Sequence, residues 1–126
     1  MKSMANGAGK KVWILPDCEL PPEGEGVAKG HESVIVVNDS DVDAVIDVKL
    51  FFTDKDAYEE IKWTVGAGRV RCFRTNRPAD MGGFVVPFET QYAMKVSSNT
   101  PIVLQYGRLD NTQANLAFYT TLGYAE

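Results

Sequence analysis

Apolar and polar residues alternate one for one along most of this chain, and no window repeats convincingly at the 3.6-residue period of a helix. Ala44, Ile46, Val48, Leu50 and Phe52 share one parity, while Asp47 and Lys49 lie on the other. Side chains of an extended strand point to opposite faces in turn, so this pattern predicts a half-buried strand. Ile61, Trp63 and Val65 alternate with Glu60, Lys62 and Thr64 in the same way. Tyr92, Met94 and Val96 alternate with Gln91, Lys95 and Ser97, and Leu116, Phe118, Leu122 and Tyr124 share a parity near the end. Residues 33–37 are apolar on both parities, which predicts an interior strand covered on both faces. Residues 11–15, 69–74 and 101–110 supply further strands. Residues 84–88 are a weaker candidate, which Pro87 confines to an edge or a strand end.

Turn signals separate these runs at Pro21-Pro22, Gly24 to Gly26, and residues 38–43, 66–68, 78–83 and 97–101. About nine short strands at this spacing predict an all-β domain, a sandwich or a barrel. A helix of more than about two turns is not expected, because no apolar stripe exists to bury one. The 126 residues make one domain by length. Residues 11–126 form it, and residues 1–10, rich in Gly, Ala and Lys, read as a flexible N-terminal tail. Residues 16–32 are the longest stretch without strand character, and loops of that length in a compact domain often carry function.

Charge and cysteine usage narrow the function classes. The net charge of −4 disfavours nonspecific binding to DNA or to an anionic membrane, both of which need a positive field. No apolar run approaches the ~20 residues of a membrane span. Cys18 and Cys72 fit no zinc spacing and suggest reduced thiols in a cytoplasmic protein. Asp39, Asp41 and Asp43 open like a calcium loop, but Ala44 and Leu50 stand where that loop needs Gly and Glu, so a polar turn is expected and no metal site.

The candidate site centres on the run from Pro101 to Asp110. It starts as an apolar strand and ends in Gln105, Arg108 and Asp110, with Asn111 and Gln113 beyond. Arg and Asp at the end of a rigid strand can hold a ligand by paired hydrogen bonds. Gln105 and Arg108 differ by an odd number, so they share a face only if Gly107 forms a bulge. A structural alternative is a pair between Arg108 and Asp110 that fixes a loop. His31, the only histidine, is followed by Glu32 and could act as a general base, although no Ser or Cys is placed to serve as a nucleophile. Trp13, Tyr106 and Trp63 could form a stacking platform or could be core; the alternation around Trp63 places it in the core. Arg69, Arg71, Arg74 and Arg77 form a basic strip, read either as an anion-binding surface or as charge that blunts an exposed edge. Arg74 falls with Val70 and Cys72, so an apolar-side arginine needing a polar partner is expected there.

An ordered set of residues across 11–126 resembles the sensory rhodopsin transducer-like family of small soluble bacterial β-proteins. The set comprises Trp13; Pro21-Pro22 with Gly24 and Gly26; His31-Glu32; Asn38; Phe51-Phe52 followed by Asp54-Lys55; Val65, Ala67 and Arg69; Arg74 with Asn76; Ser98-Asn99; Pro101-Ile102-Val103; Gln105; Arg108-Leu109-Asp110; and Gln113. The resemblance implies a two-sheet, jelly-roll-like β-sandwich, a homotetramer, and a noncatalytic signalling or ligand-binding role without a cofactor. Similarity of that fold to carbohydrate-binding sandwiches suggests a small-molecule ligand such as a sugar, and a signalling protein as partner. On this reading Trp13, His31, Glu32, Arg108, Asp110 and Gln113 form the ligand site, with Trp13 stacking, Arg108 donating, and Asp110 and Glu32 accepting. Asp17-Cys18-Glu19 departs from the transducer pattern in the 16–32 loop. An enzyme using His31 with a carboxylate, and a protein- or nucleic-acid-binding module using Arg69 to Arg77, are the alternatives. Phe51, Val45 and Tyr119, on faces opposite the expected core, suit a subunit interface.

Overall fold

The computed structural model describes residues 7–113 and 116–126. The regular secondary structure of the described residues is nearly all strand: β1 (Lys10–Cys18), β2 (His31–Val37), β3 (Ala44–Phe52), β4 (Tyr58–Val65), β5 (Val70–Arg74), β6 (Tyr92–Asp110), β7 (Ala117–Thr121) and β8 (Tyr124–Ala125). Among the described residues the single helical element is a 3₁₀ turn at Pro78–Met81. Lys10 already lies in β1, and the Ala8 N–H donates to the Asp39 carboxylate at 3.0 Å, so the expected tail is tied down from there; residues 1–6 lie outside the described residues.

The eight strands belong to one hydrogen-bonded sheet, bent through β6. The alternation predicts about nine strands. Eight are found: the expected strands around 92–97 and 101–110 are one strand of 19 residues, residues 84–88 form none, and the last run divides into β7 and β8. The turn-like Ser97 to Pro101 does not turn the chain; it is where β6 changes partners. Tyr92 to Ser98 pair with β3, and Met94 to Ser97 also pair with β1. Val103 to Leu109 pair with β2, and Tyr106 to Asp110 pair with β7. Pro101 sits in the hand-over, where a missing N–H leaves no ladder bond open. The Asn99 side chain replaces backbone there, accepting from the Val45 N–H at 2.8 Å and donating to the Asp43 carbonyl at 3.3 Å.

β6 thus joins two wings. One runs β4-β3-β6-β1-β8; the other is β5-β2-β6-β7. Their inner faces share one core, built from Ile46, Val48, Leu50, Ile61, Met94 and Val96 on one side and Val34, Val36, Phe73, Leu104 and Tyr106 on the other. The β4 and β5 edges are pinned together: Trp63 stacks flat on Phe73 with centroids 4.1 Å apart, and Arg71 lies over Phe73 while donating to the Thr64 carbonyl at 2.8 Å. The Trp63 indole N–H reaches the Asp80 carbonyl at 2.6 Å, which docks the 3₁₀ turn beneath β4. Gly82 ends that turn at φ 62°, and a Cβ there would run into the Glu60 carbonyl.

Three local expectations are corrected. Residues 84–88 form no strand: Phe84 packs on Tyr58 and Phe52 as a cover, and Phe88 makes only an isolated bridge to Leu20. β2 is central in its wing but covered on one face only; Ile35 and Val37 stay exposed on the other. In β5 the inner face carries Arg71 and Phe73, so Arg74 lies on the outer face with Val70 and Cys72 and finds Asn76 Oδ1 as partner at 3.2 Å. The Asp39 to Asp43 tract is a turn organised by buried Asn38, which donates to the Val42 carbonyl at 2.7 Å and accepts from the Ser40 hydroxyl at 2.7 Å. Among the described residues no cluster of His, Cys, Asp or Glu could hold a metal ion. No helix among them is long and apolar enough to cross a membrane.

Candidate functional site: a cleft over a buried glutamate

Glu32 shares its parity in β2 with Val34 and Val36, so the strand drives a carboxylate into the core, where it is fully buried. A buried carboxylate is tolerable only when its oxygens are saturated by donors. Four donors reach it. Oε1 accepts from the Tyr92 hydroxyl at 2.6 Å and the Thr75 hydroxyl at 2.7 Å. Oε2 accepts from the Glu19 N–H at 3.0 Å and from the Tyr106 hydroxyl. The donors come from β6, from the turn after β5 and from the loop after β1, so one side chain ties three segments together. Burial, then the Glu32 charge, pushes both tyrosine hydroxyls well above the ordinary phenol range. Burial and Glu32 likewise push the Cys18 thiol up, and both cysteines are free.

Arg108 follows on the same inner face of β6. Its Nε donates to the Tyr106 hydroxyl at 3.3 Å, and its guanidinium lies over the Tyr119 ring at 5.3 Å. Burial, the largest single influence, works against its charge, but the bond to Tyr106 and the electrostatics of Tyr106, Tyr119 and Glu32 together outweigh it, and the guanidinium is held charged. Its Nη2 is buried without a partner among the described residues. Arg108, Tyr106 and Glu32 therefore form a chain of bonds from the surface to the core.

Above this chain the two wings stand apart. Between β1 and β7 lies a cleft of about 620 Å³, floored by Tyr106 and walled by Ile14, Pro16, Asp17, Tyr119, Thr121 and Tyr124. Tyr119 and Thr121 sit on β7, opposite Arg108 and Tyr106, so the inner parity of β7 faces the cleft. The walls combine flat aromatic faces with a few hydroxyls and one carboxylate, which suits a small ligand carrying both apolar and hydroxyl surface.

The residues expected at the site are only partly brought together. Glu32 and Arg108 meet through Tyr106, but the oxygens of Glu32 are taken up inside the protein. Trp13 is buried on the inner face of β1, its indole N–H on the Lys10 and Ile102 carbonyls. His31 points away from Glu32 and bonds the Lys29 carbonyl at 2.8 Å. Asp110 makes no ion pair with Arg108 among the described residues; it accepts from the Thr112 N–H at 2.9 Å and the Thr112 hydroxyl at 2.7 Å. Those bonds hold its pKa below the usual carboxylate value. Gln113 lies away from the cleft, beside the Gly24 to Ala28 loop, which Asn111 holds through the Glu25 and Ala28 carbonyls. Gly107 forms no bulge: β6 runs in regular register with both β2 and β7, so Gln105 faces out and Arg108 faces in. In the basic strip Arg71 and Arg74 lie on opposite faces of β5, and each is bonded within the chain.

Tyr119, Asp17 and Tyr124 were not legible as site residues, because β7 and β1 meet across the cleft only in the folded chain. Tyr92 and Tyr106 were legible in part: a buried Tyr needs a partner for its hydroxyl, and Glu32 is an acid sharing its strand parity with the apolar Val34 and Val36.

Residues 8–125 match the family profile described as Anabaena sensory rhodopsin transducer. Two solved structures are similar. The crystal structure of Thermotoga maritima 1070 is 26% identical, with a TM-score of 0.84 over 94% of this chain and 96% of that one. The Anabaena sensory rhodopsin transducer is 30% identical, with a TM-score of 0.67 over 79% of this chain and 89% of that one. No protein of curated function matches the sequence significantly.

Proposed function

Because the chain belongs to the Anabaena sensory rhodopsin transducer family, we propose that it is a noncatalytic signalling module whose β1–β7 cleft binds a small hydroxyl-rich molecule such as a sugar. The observation that carries this reading is the composition of the cleft. Tyr119 and Tyr124 offer faces for stacking, and Asp17 and Thr121 offer polar atoms at its wall. The nearby cation, Arg108, is turned inward onto Tyr106 rather than outward as an anion clamp, which favours a neutral ligand. The noncatalytic reading follows the family and fits His31, whose ring is engaged by a backbone carbonyl and not by Glu32.

The module works as a homo-oligomer, most simply a tetramer, in the cytoplasm, and passes its signal to a protein partner. The outer face of the second wing supports the assembly: Val70, Val37, Ile35 and Phe118 are exposed on neighbouring strands there. The first wing instead carries Lys49–Glu59 and Lys62–Asp47 ion pairs on its outer face, alongside Val45 and Phe51.

A thermal-shift panel of neutral sugars tests the ligand. A sugar at a hundred times its Kd stabilises the fold by about 2.7 kcal/mol and raises the melting temperature accordingly. Tyr119→Ala should abolish that rise while the circular dichroism spectrum stays that of the parent. A flat response across the panel, or a rise that survives Tyr119→Ala, refutes the assignment.

A further inference from the structure

Tyr106 does two things at once: it floors the β1–β7 cleft, and its hydroxyl is one of the two donors on Glu32 Oε2. The other donor on that oxygen is the Glu19 N–H, at the start of the loop that leads to β2. The same carboxylate holds the Thr75 hydroxyl and is fully buried. We propose that occupancy of the cleft is relayed to the 19–30 loop through Glu32, with Tyr106 as the positioning residue. This rests on the reading of the cleft as the binding site. The reasoning is local. Two donors share one oxygen, so a shift of the Tyr106 hydroxyl changes how firmly that oxygen holds the Glu19 amide. Arg108 is set to trigger such a shift, because it bonds the Tyr106 hydroxyl and lies over Tyr119, a wall of the cleft. A ligand that stacks on Tyr119 competes with the guanidinium for the ring and moves it. The far end of the relay is a surface: the loop carries Gly24 and Gly26 at positive φ and ends at Gly30, whose N–H bonds the Glu23 carbonyl at 2.8 Å. Its glycines reach backbone conformations closed to other residues, and a partner protein can read the shape the loop takes.

The relay is testable without any ligand. Amide hydrogen exchange is measured by NMR on the full chain and on Tyr106→Phe, which keeps the ring and removes the hydroxyl. Loss of one donor to a buried charge should speed exchange at Glu19 by about tenfold to a hundredfold, while amides in β3 and β4 keep their protection. Tyr124→Phe lines the same cleft but bonds only Glu126, and should leave Glu19 unchanged. Arg108→Met reaches Glu32 through one more bond, and should speed Glu19 exchange by several-fold even if Tyr106→Phe does not fold. Unchanged Glu19 exchange in Tyr106→Phe or, failing that variant, in Arg108→Met overturns the relay, as does an equal effect from Tyr124→Phe. If no sugar of the panel shifts the melting temperature while Tyr106→Phe still frees Glu19, the ligand class falls and the coupling stands.

Discussion

Replacing Glu32 is the sharpest test of how this fold is held. Glu32→Leu has a similar volume and would be benign if the site were simply core. Instead it strands the donors of Glu19, Thr75, Tyr92 and Tyr106, which now face the carboxylate. A buried donor without an acceptor costs about 1–3 kcal/mol. Hydroxyls rotate and recover part of this, so the sum is about 4–8 kcal/mol, comparable to the whole stability of a domain of this kind. Glu32→Gln is different. Its carbonyl can take the place of Oε2, keeping the Glu19 amide and the Tyr106 hydroxyl. Its amide group then faces the Thr75 and Tyr92 hydroxyls, which can turn to accept. The bonds lose their charge assistance, but the charge no longer has to be desolvated, and the two changes oppose each other. The expected net loss is about 2 kcal/mol or less. Urea unfolding followed by circular dichroism measures both. If Glu32→Leu lies within about 1 kcal/mol of the parent, the four-donor carboxylate is not holding the three segments, and the reasoning fails.

Three further outcomes follow. Phe73→Ala removes the ring that pins β5 to β4 through Trp63, and should cost about 3–5 kcal/mol in the same assay. The Asp110 carboxyl should titrate below the ordinary carboxylate value, because Thr112 bonds its charged form. A lowered folded pKa stabilises the fold above the unfolded value and the gain is lost as pH falls through the folded one; Thr112→Val, which removes the hydroxyl bond but keeps the N–H bond, should move the NMR midpoint part of the way up. With Ellman's reagent Cys72 should react in the folded protein, while Cys18, buried and pushed up by its surroundings, should react only on unfolding.

Alternation made β3 legible to the residue, because Ala44 to Phe52 bury every second side chain against the core. It also placed Trp63 in the core. It overreached at residues 33–37, where apolar residues on both parities suggested two covered faces. The pattern reports which side chains avoid water; it does not report what covers them, and one chain leaves Ile35 and Val37 open. Ser97 to Pro101 misled for a different reason. Its polar residues and proline read as a turn, yet the side chain of Asn99 satisfies the neighbouring backbone and the strand continues. The parity difference between Gln105 and Arg108 suggested a bulge, when the two simply face opposite sides. The site residues most visible to sequence, Arg108 and Glu32, do lie together, but the link between them is Tyr106. The cleft walls Tyr119 and Asp17 come from segments far apart in the chain and need the fold to meet.

The length of β6 also bears on how the molecule assembles in time. Its first half needs β1 and β3 and its second half needs β2 and β7. All but β7 precede it in the chain, by tens of residues, so most of its pairing requires closing long loops before any ladder forms. Folding should accordingly be slow, in the millisecond-to-second range of domains dominated by distant pairings, with a single exponential. Nor can either half of the molecule persist without the other. Pulling β6 out removes an interior strand from both wings in one event, and the protein should lose them together.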